Sequence, residues 1–328
     1  MRLQALGKRV ALFKPLCSKE KGSEFTGDLD IKFFGEYLSP HSFSLPAPIP
    51  WEQTLGSKDL LAESQVLDSI KKSYIALSEG TDTIVAEGLP SFSPDGAPIN
   101  ISSSVADLMD ASVLAVLAYK DAAGLRKAAA GIKELYGNRT VGMIINKVPR
   151  YKMRDANQII TPQLESLGIT VLGNIPEDRS LLSVTVDQMA EHLGGRFITQ
   201  ENNGHLPVEH IMIGGLVLDS GAGYFAARDR KAVIVRGDRP DIQMAALRTS
   251  TSCLVLTGGH WPIQYVLNEA NEENVPLILV DEDTHTTAAA LNTLINRSVF
   301  QHTFKLKRFS QLLDEHCSKE AWDVILRK

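Results

Sequence analysis

Short runs of apolar residues alternate with longer stretches of helical period along most of the chain. In the first part the runs fall at Val10–Phe13, Thr83–Val85, Ser112–Leu117, Thr140–Ile145 and Thr170–Ile175, and helical spacing covers Lys58–Ser78, Lys120–Leu135 and Arg154–Ser166. The second part repeats the alternation. Strand-like runs at His210–Val217, Ala232–Val235, Cys253–Leu256 and Leu277–Val280 are separated by helical stretches at Asp241–Arg248, Pro262–Asn271 and Thr287–Ile295. The runs are continuous rather than alternating, as expected of strands covered by helices on both faces of a parallel sheet. The pattern predicts an α/β protein of two Rossmann-like domains. A polar stretch at 200–205 (Gln-Glu-Asn-Asn-Gly-His) reads as the linker, which places one domain at 1–203 and a smaller one at 204–328. The tail from Phe304 to Lys328 is expected to add one strand and a helix.

Composition narrows the picture without naming a function. The 328 residues are 44% hydrophobic and 22% charged, ordinary for a globular protein, and the net charge of −5 gives no footing for a nucleic-acid or membrane-surface partner. The longest apolar run, Ala111 to Ala118, is too short to span a bilayer. Cys17, Cys253 and Cys317 are few and far apart, which points to a reducing compartment, and the protein is expected to be cytoplasmic.

Ligands of open α/β sheets sit beyond the carboxyl ends of the strands. The strand at Val10 delivers Lys14-Pro15, followed by Gly27-Asp28-Leu29-Asp30. Asp28 and Asp30 are candidate magnesium ligands, or one of them caps the helix that begins near Ile31. The next strand ends in Glu87-Gly88, where the acid is either a metal ligand or solvated turn chemistry. Asn146, before Lys147-Val148-Pro149, offers an amide to a purine edge or forms a turn. The fifth strand ends Gly173-Asn174-Ile175-Pro176.

In the second part three strands end in turns rich in Gly, Asp and Thr. These are Gly237-Asp238-Arg239-Pro240-Asp241, Thr257-Gly258-Gly259, and Asp283-Thr284 after Asp281-Glu282. Glycines admit close approach of a ligand, helix N-termini attract anions, and Arg239 can clamp a phosphate or carboxylate with Asp238 or Asp241 orienting it. The alternative is that these are βα turns whose Asp and Thr residues cap helices. The eight histidines form no metal-ligand spacing, and no G-x-S-x-G elbow occurs.

The order Lys14-Pro15, Asp28/Asp30, Glu87-Gly88, Asn146/Pro149 and Gly173/Ile175-Pro176 resembles the dethiobiotin synthetase-like branch of P-loop NTPases. It resembles above all the N-terminal part of long bacterial phosphate acetyltransferases, over roughly residues 1–200. That resemblance implies a P-loop-NTPase-type sheet, ATP or another nucleotide as ligand with Lys14, Asn146 and Pro176 beside it, and Mg2+ near Asp28, Asp30 and Glu87. It departs from the family at the start. The residues before Val10 read as the end of a helix capped by Gly7, so the first strand and the G-x-x-x-x-G-K-[ST] loop are missing, and Gly7-Lys8 has neither the upstream Gly nor the following Ser/Thr. Poor packing beside the strand at Val10–Phe13 is expected if Met1 is the true start.

Residues 206–315 are similar to the DRTGG domain, carried by Gly237-Asp238-Arg239 and Thr257-Gly258-Gly259, with Pro240 at the position of the name-giving Thr. This implies a regulatory, often oligomeric module that binds a nucleotide or small anion. The leading expectation is therefore a regulatory protein, not catalytically competent as given, acting as a homo-oligomer without nucleic-acid or membrane partners. The rivals are an ATP-dependent carboxylate-activating ligase whose P-loop lies upstream, and a scaffold with no working pocket.

Overall fold

A computed structural model describes residues 2–17, 30, 33–35, 49–50, 60–88, 101–199, 203–215, 221–296 and 298–326. The chain forms two compact units. One comprises Met1–Glu177 with Phe309–Lys328, the other Asp178–Arg308. Residues 203–206, the described end of the polar stretch, pair with Val186 and Asp187 inside the second unit, through Asp187 N–H to Gly204 O (2.8 Å) and Val186 N–H to Leu206 O (3.1 Å).

In the first unit the elements run α1 (Arg2–Ala5), β1 (Val10–Phe13), β2 (Leu16–Cys17), β3 (Ile49–Pro50), α2 (Leu60–Ser78), β4 (Thr83–Ala86), α3 (Ile101–Leu108), β5 (Val113–Ala118), α4 (Ala122–Tyr136) and β6 (Thr140–Val148). A helical run over 153–165 (α5), with a π turn at Ala156–Ile160, leads to β7 (Val171–Pro176). β1 pairs in parallel with β4, and β5, β6 and β7 form a separate parallel sheet in that order. Ala11 and Phe13 of β1 are buried against Ile70 and Leu77 of α2 and Ile101 and Val105 of α3. Asp121 caps α4 by accepting the Gly124 N–H (2.7 Å), and Leu125, Ala129 and Ile132 of that helix cover Met143 and Ile145 of β6.

The second unit holds β8 (Val184–Thr185), α6 (Val186–Leu193), β9 (Arg196–Phe197), β10 (Pro207–Val208), β11 (His210–Gly214), α7 (Gly221–Ala226), β12 (Lys231–Arg236), α8 (Pro240–Leu247), β13 (Thr251–Thr257), α9 (Gln264–Glu272), β14 (Leu277–Leu279) and α10 (Thr284–Asn296). Its five-stranded sheet has the order β11-β12-β13-β14-β9, parallel except for β9 at the edge. Alternate residues of each strand face opposite layers. Val233, Val235, Leu254 and Leu256 pack on Ile242, Ala246 and Leu247 of α8 and Val266 of α9. Ala232, Ile234, Cys253 and Val255 pack on Met189 of α6 and Leu291 of α10. This two-sided burial is why the strands read as unbroken apolar runs.

The tail corrects the sequence expectation. It is two helices, α11 (Thr303–His316) and α12 (Lys319–Leu326), not a strand and a helix. The alternation Phe304-Lys-Leu-Lys suggests a strand, but Lys305 and Leu312 are the buried positions, two helical turns apart. Cys317, just past α11, makes an antiparallel bridge with Gly173 of β7, and Ser318 N–H donates to Leu172 O (2.8 Å). A Cβ on Gly173 would overlap the His316 carbonyl and the Cys317 Cα. Gly173→Val should therefore cost about 1–3 kcal/mol in urea unfolding and expose the chain near Cys317 to protease; unchanged stability and protection would contradict this contact.

Lys305, at 4% exposure, donates to Ser298 Oγ and Val299 O, both at 2.6 Å. Burial pulls its pKa from 10.5 down to about 8. Between about pH 8 and 10.5 the folded state thus holds fewer protons than the unfolded chain, so this residue's contribution to stability rises as pH increases through that window. Urea titrations across the window should show the rise in the wild type and lose it in Lys305→Met.

Candidate functional site

The parallel order of β12, β13 and β14 brings their carboxyl ends to one edge of the second sheet. From them run Arg236–Asp241, Thr257–His260 and Asp281–Thr284. Gly237 is buried, its N–H donates to Thr257 O (3.2 Å), and a Cβ there would overlap the His260 carbonyl. Gly258 and Gly259 take left-handed backbone, φ +83° and +67°. Their N–H groups donate to Glu282 O (2.8 Å) and Val280 O (2.9 Å). The Thr-Gly-Gly turn thus ties the β13 end to the β14 end through its own amides, and a phosphate here would meet side chains rather than these two N–H groups.

Thr257 is fully buried and shares a hydrogen bond with the Thr284 hydroxyl (2.9 Å), which joins β13 to the start of α10. Asp283 caps that helix by accepting the Thr286 N–H (2.7 Å), and this backbone bond holds its carboxyl below the usual range. Beneath the first turn, fully buried Gln243 of α8 donates to Arg236 O (2.8 Å) and Gly237 O (3.0 Å), while its Oε1 has no hydrogen-bond partner.

Each arginine of the first turn grips the aspartate two residues on. Arg236 binds both carboxylate oxygens of Asp238, and Arg239 Nε and Nη2 bind Asp241 at 2.9 and 2.7 Å. The hydrogen bonds from the arginines lower the pKa of Asp238 and Asp241 and raise that of Arg239. With Asp281, Glu282 and Asp283, the edge carries five carboxylates against two arginines. Of the residues expected at this site, Gly237, Asp238, Arg239, Asp241, Thr257, Gly258, Gly259, Asp283 and Thr284 all lie on this one edge. Gln243 carries no motif and was not expected. Its only sequence signal is a polar residue on the apolar face of α8.

In the first unit, Lys14 Nζ lies 2.6 Å from Asp30 Oδ2 and 3.2 Å from Glu87 Oε2, so three of the expected residues meet. Asp28 lies outside the described residues. Asp30 and Glu87 are already bridged by the Lys14 ammonium, and among the described residues no three His, Cys, Asp or Glu side chains are grouped to hold a metal. Asn146 uses its Oδ1 to accept the Lys147 N–H (2.8 Å), where Lys147 has φ +59°, and Pro176 is paired with Val148. Asn174 emerges instead as a buried hub, donating to Asn157 Oδ1 (2.7 Å) and Thr161 Oγ1 (2.9 Å) across the π turn of α5.

These features define an α/β protein whose second sheet gathers its polar turns at the carboxyl edge. Residues 188–294 match the DRTGG domain family, so the chain carries a DRTGG domain. The phosphate acetyltransferase of Nitrosomonas europaea is 22% identical over 342 residues, a match covering 96% of this chain and 47% of that protein. The chain thus spans about half the length of this relative. Two solved structures are also similar. One holds the CBS and DRTGG domains of the regulatory region of Clostridium perfringens pyrophosphatase, complexed with its activator diadenosine tetraphosphate (18% identity, 58% of this chain and 74% of that one, TM-score 0.30). The other is the MinC:MinD cell division complex of Aquifex aeolicus (19% identity, 55% and 74%, TM-score 0.32). No helix among the described residues is long and apolar enough to cross a membrane.

Gln243→Leu should leave the Arg236 and Gly237 carbonyls without their side-chain donor and cost about 1–3 kcal/mol in urea unfolding. Stability equal to the wild type would show that Gln243 does not hold this turn.

Proposed function

We propose that the chain is a regulatory module that binds a nucleotide, or a similar small phosphorylated anion, at the carboxyl edge of its DRTGG sheet. The observation that supports this reading is the convergence of three turns, from three adjacent parallel strands, that carry two arginines already oriented for bidentate contact. Exposed Arg–carboxylate pairs contribute little to stability, so a phosphate can replace Asp238 or Asp241 at small cost. It would gain a charge-assisted fork of the same geometry. The excess of carboxylates disfavours a bare polyanion and favours a ligand whose charge is partly masked, such as a metal-complexed nucleotide. The first unit acts in this reading as a dethiobiotin synthetase-like domain without catalytic competence, and the protein works as a cytoplasmic homo-oligomer. Acetyl transfer is not part of the reading.

Calorimetric titration with ATP, ADP, AMP and dinucleoside polyphosphates, each with and without magnesium, tests it. Binding is expected for at least one, and Arg239→Ala should weaken it by about 10-fold or more, the value of one hydrogen bond to a charged group. Unchanged affinity in Arg239→Ala would remove the site assignment. Absence of binding by every nucleotide would favour the scaffold reading.

A further inference from the structure

The turn that leaves β13 ends in an exposed apolar strip. Trp261 is 60% exposed, and Ile263 and Tyr265 are exposed with it, whereas Pro262 between the first two is buried. In extended backbone successive side chains point to opposite sides, so burial of Pro262 turns Trp261 and Ile263 outward together. A residue before proline is held extended, and Ile263 is extended as well, with φ −69° and ψ 155°. The indole therefore stands on a constrained segment between β13 and α9. Single exposed apolar residues are ordinary, but contiguous ones mark a contact surface.

The place of the strip decides what fits it. It begins where the β13 turn touches the β12 turn. His260 lies directly on Gly237, where a Cβ would overlap the His260 carbonyl oxygen, and Trp261 is the next residue, about 3.8 Å further by Cα spacing. The His260 ring lies over Gly258, whose Cβ would meet its Cδ2 at 3.4 Å. The charge of His260 also lowers the Asp238 pKa, after the hydrogen bonds from Arg236, so the β13 turn faces the Arg236–Asp238 pair. That pair is exposed, as Trp261 is, and one small ligand can reach both. A flat π surface beside an arginine fork matches a ligand that joins an aromatic heterocycle to phosphate. The fork takes the charge, and the indole takes the ring.

We propose that Trp261 is the platform on which the base of the nucleotide stacks while its phosphates engage the Arg236 and Arg239 forks. The inference rests on the proposed nucleotide binding and adds to it the aromatic base as the second part recognised. Stacking uses the π face that every base has, and a purine offers more of it than a pyrimidine, so the site favours purine nucleotides. Part of the affinity then comes from a contact without net charge, which the carboxylates of the rim do not oppose.

The test titrates the full chain by calorimetry with magnesium-ATP and with magnesium tripolyphosphate, which carries the phosphates without a base. Trp261→Ala should weaken ATP binding about 10-fold and leave tripolyphosphate binding unchanged, Trp261→Phe should keep most of the ATP affinity, and Arg239→Ala should weaken both. ATP should also quench the indole emission of the wild type and not that of Trp261→Phe, in which Trp51 and Trp322 remain as internal controls. Equal ATP affinity in the wild type and Trp261→Ala overturns the platform while leaving the Arg239 site standing. A change of oligomeric mass in Trp261→Ala at unaltered ATP affinity overturns it too, and marks the strip as an interface between copies. No binding of any nucleotide by the wild type removes the nucleotide reading and this inference together.

Discussion

Parallel pairing of β12, β13 and β14, buried on both faces, is the constraint on which the rest of the second unit depends. A parallel sheet forces every connection to cross over through a helix, so all three strands release their chain at the same edge. The interior of each strand is therefore given over to Val, Ile, Leu, Ala and Cys, and the polar chemistry is confined to the strand ends. Gly237 shows how closely these ends are fitted. The absence of a Cβ there lets the β12 end lie directly against the His260 carbonyl of the neighbouring turn. The Gly258 and Gly259 amides then fasten that turn to the end of β14. The edge is a single hydrogen-bonded rim rather than three independent loops.

This rim explains both the preorganisation and the restraint of the site. Gln243 and the Thr257–Thr284 pair fix the backbone from beneath and from the side, leaving the Arg236 and Arg239 forks as the elements able to exchange partners. Both forks are loaded with an aspartate two residues away, in exposed pairs that do not commit them strongly. In the proposed reading, the surplus of carboxylates disfavours a bare polyanion and favours a ligand whose charge is partly masked. In the first unit, by contrast, Lys14 already neutralises Asp30 and Glu87, and Asn146 is turned to its own backbone.

Much of this was legible in the sequence, and the failures have physical reasons. The continuous apolar runs at Val10, Thr140, Ala232 and Cys253 mark strands because two-sided burial leaves no polar alternation. The Gly and Asp clusters mark their carboxyl ends. β9 at Arg196–Phe197 and the pair β8 and β10 are two residues each and carry no period, so only the neighbouring strand reveals them. The start of α11 reads as a strand because Phe304-Lys-Leu-Lys alternates locally, whereas the face that is buried includes the lysine Lys305. Gln243, Asn174 and Lys305 were invisible for a related reason. A polar residue becomes structural only when tertiary packing surrounds it, and no local pattern announces that.

The central claim is that ligand chemistry resides on the rim of the DRTGG sheet. Backbone amide NMR of the full chain, titrated with ATP and magnesium, addresses it most directly. The account predicts that perturbed amides concentrate at residues 236–243, 257–261 and 281–287 and are sparse around Lys14, Glu87 and Asn146. Perturbations centred on those first-unit residues, or none at saturating nucleotide, would contradict it.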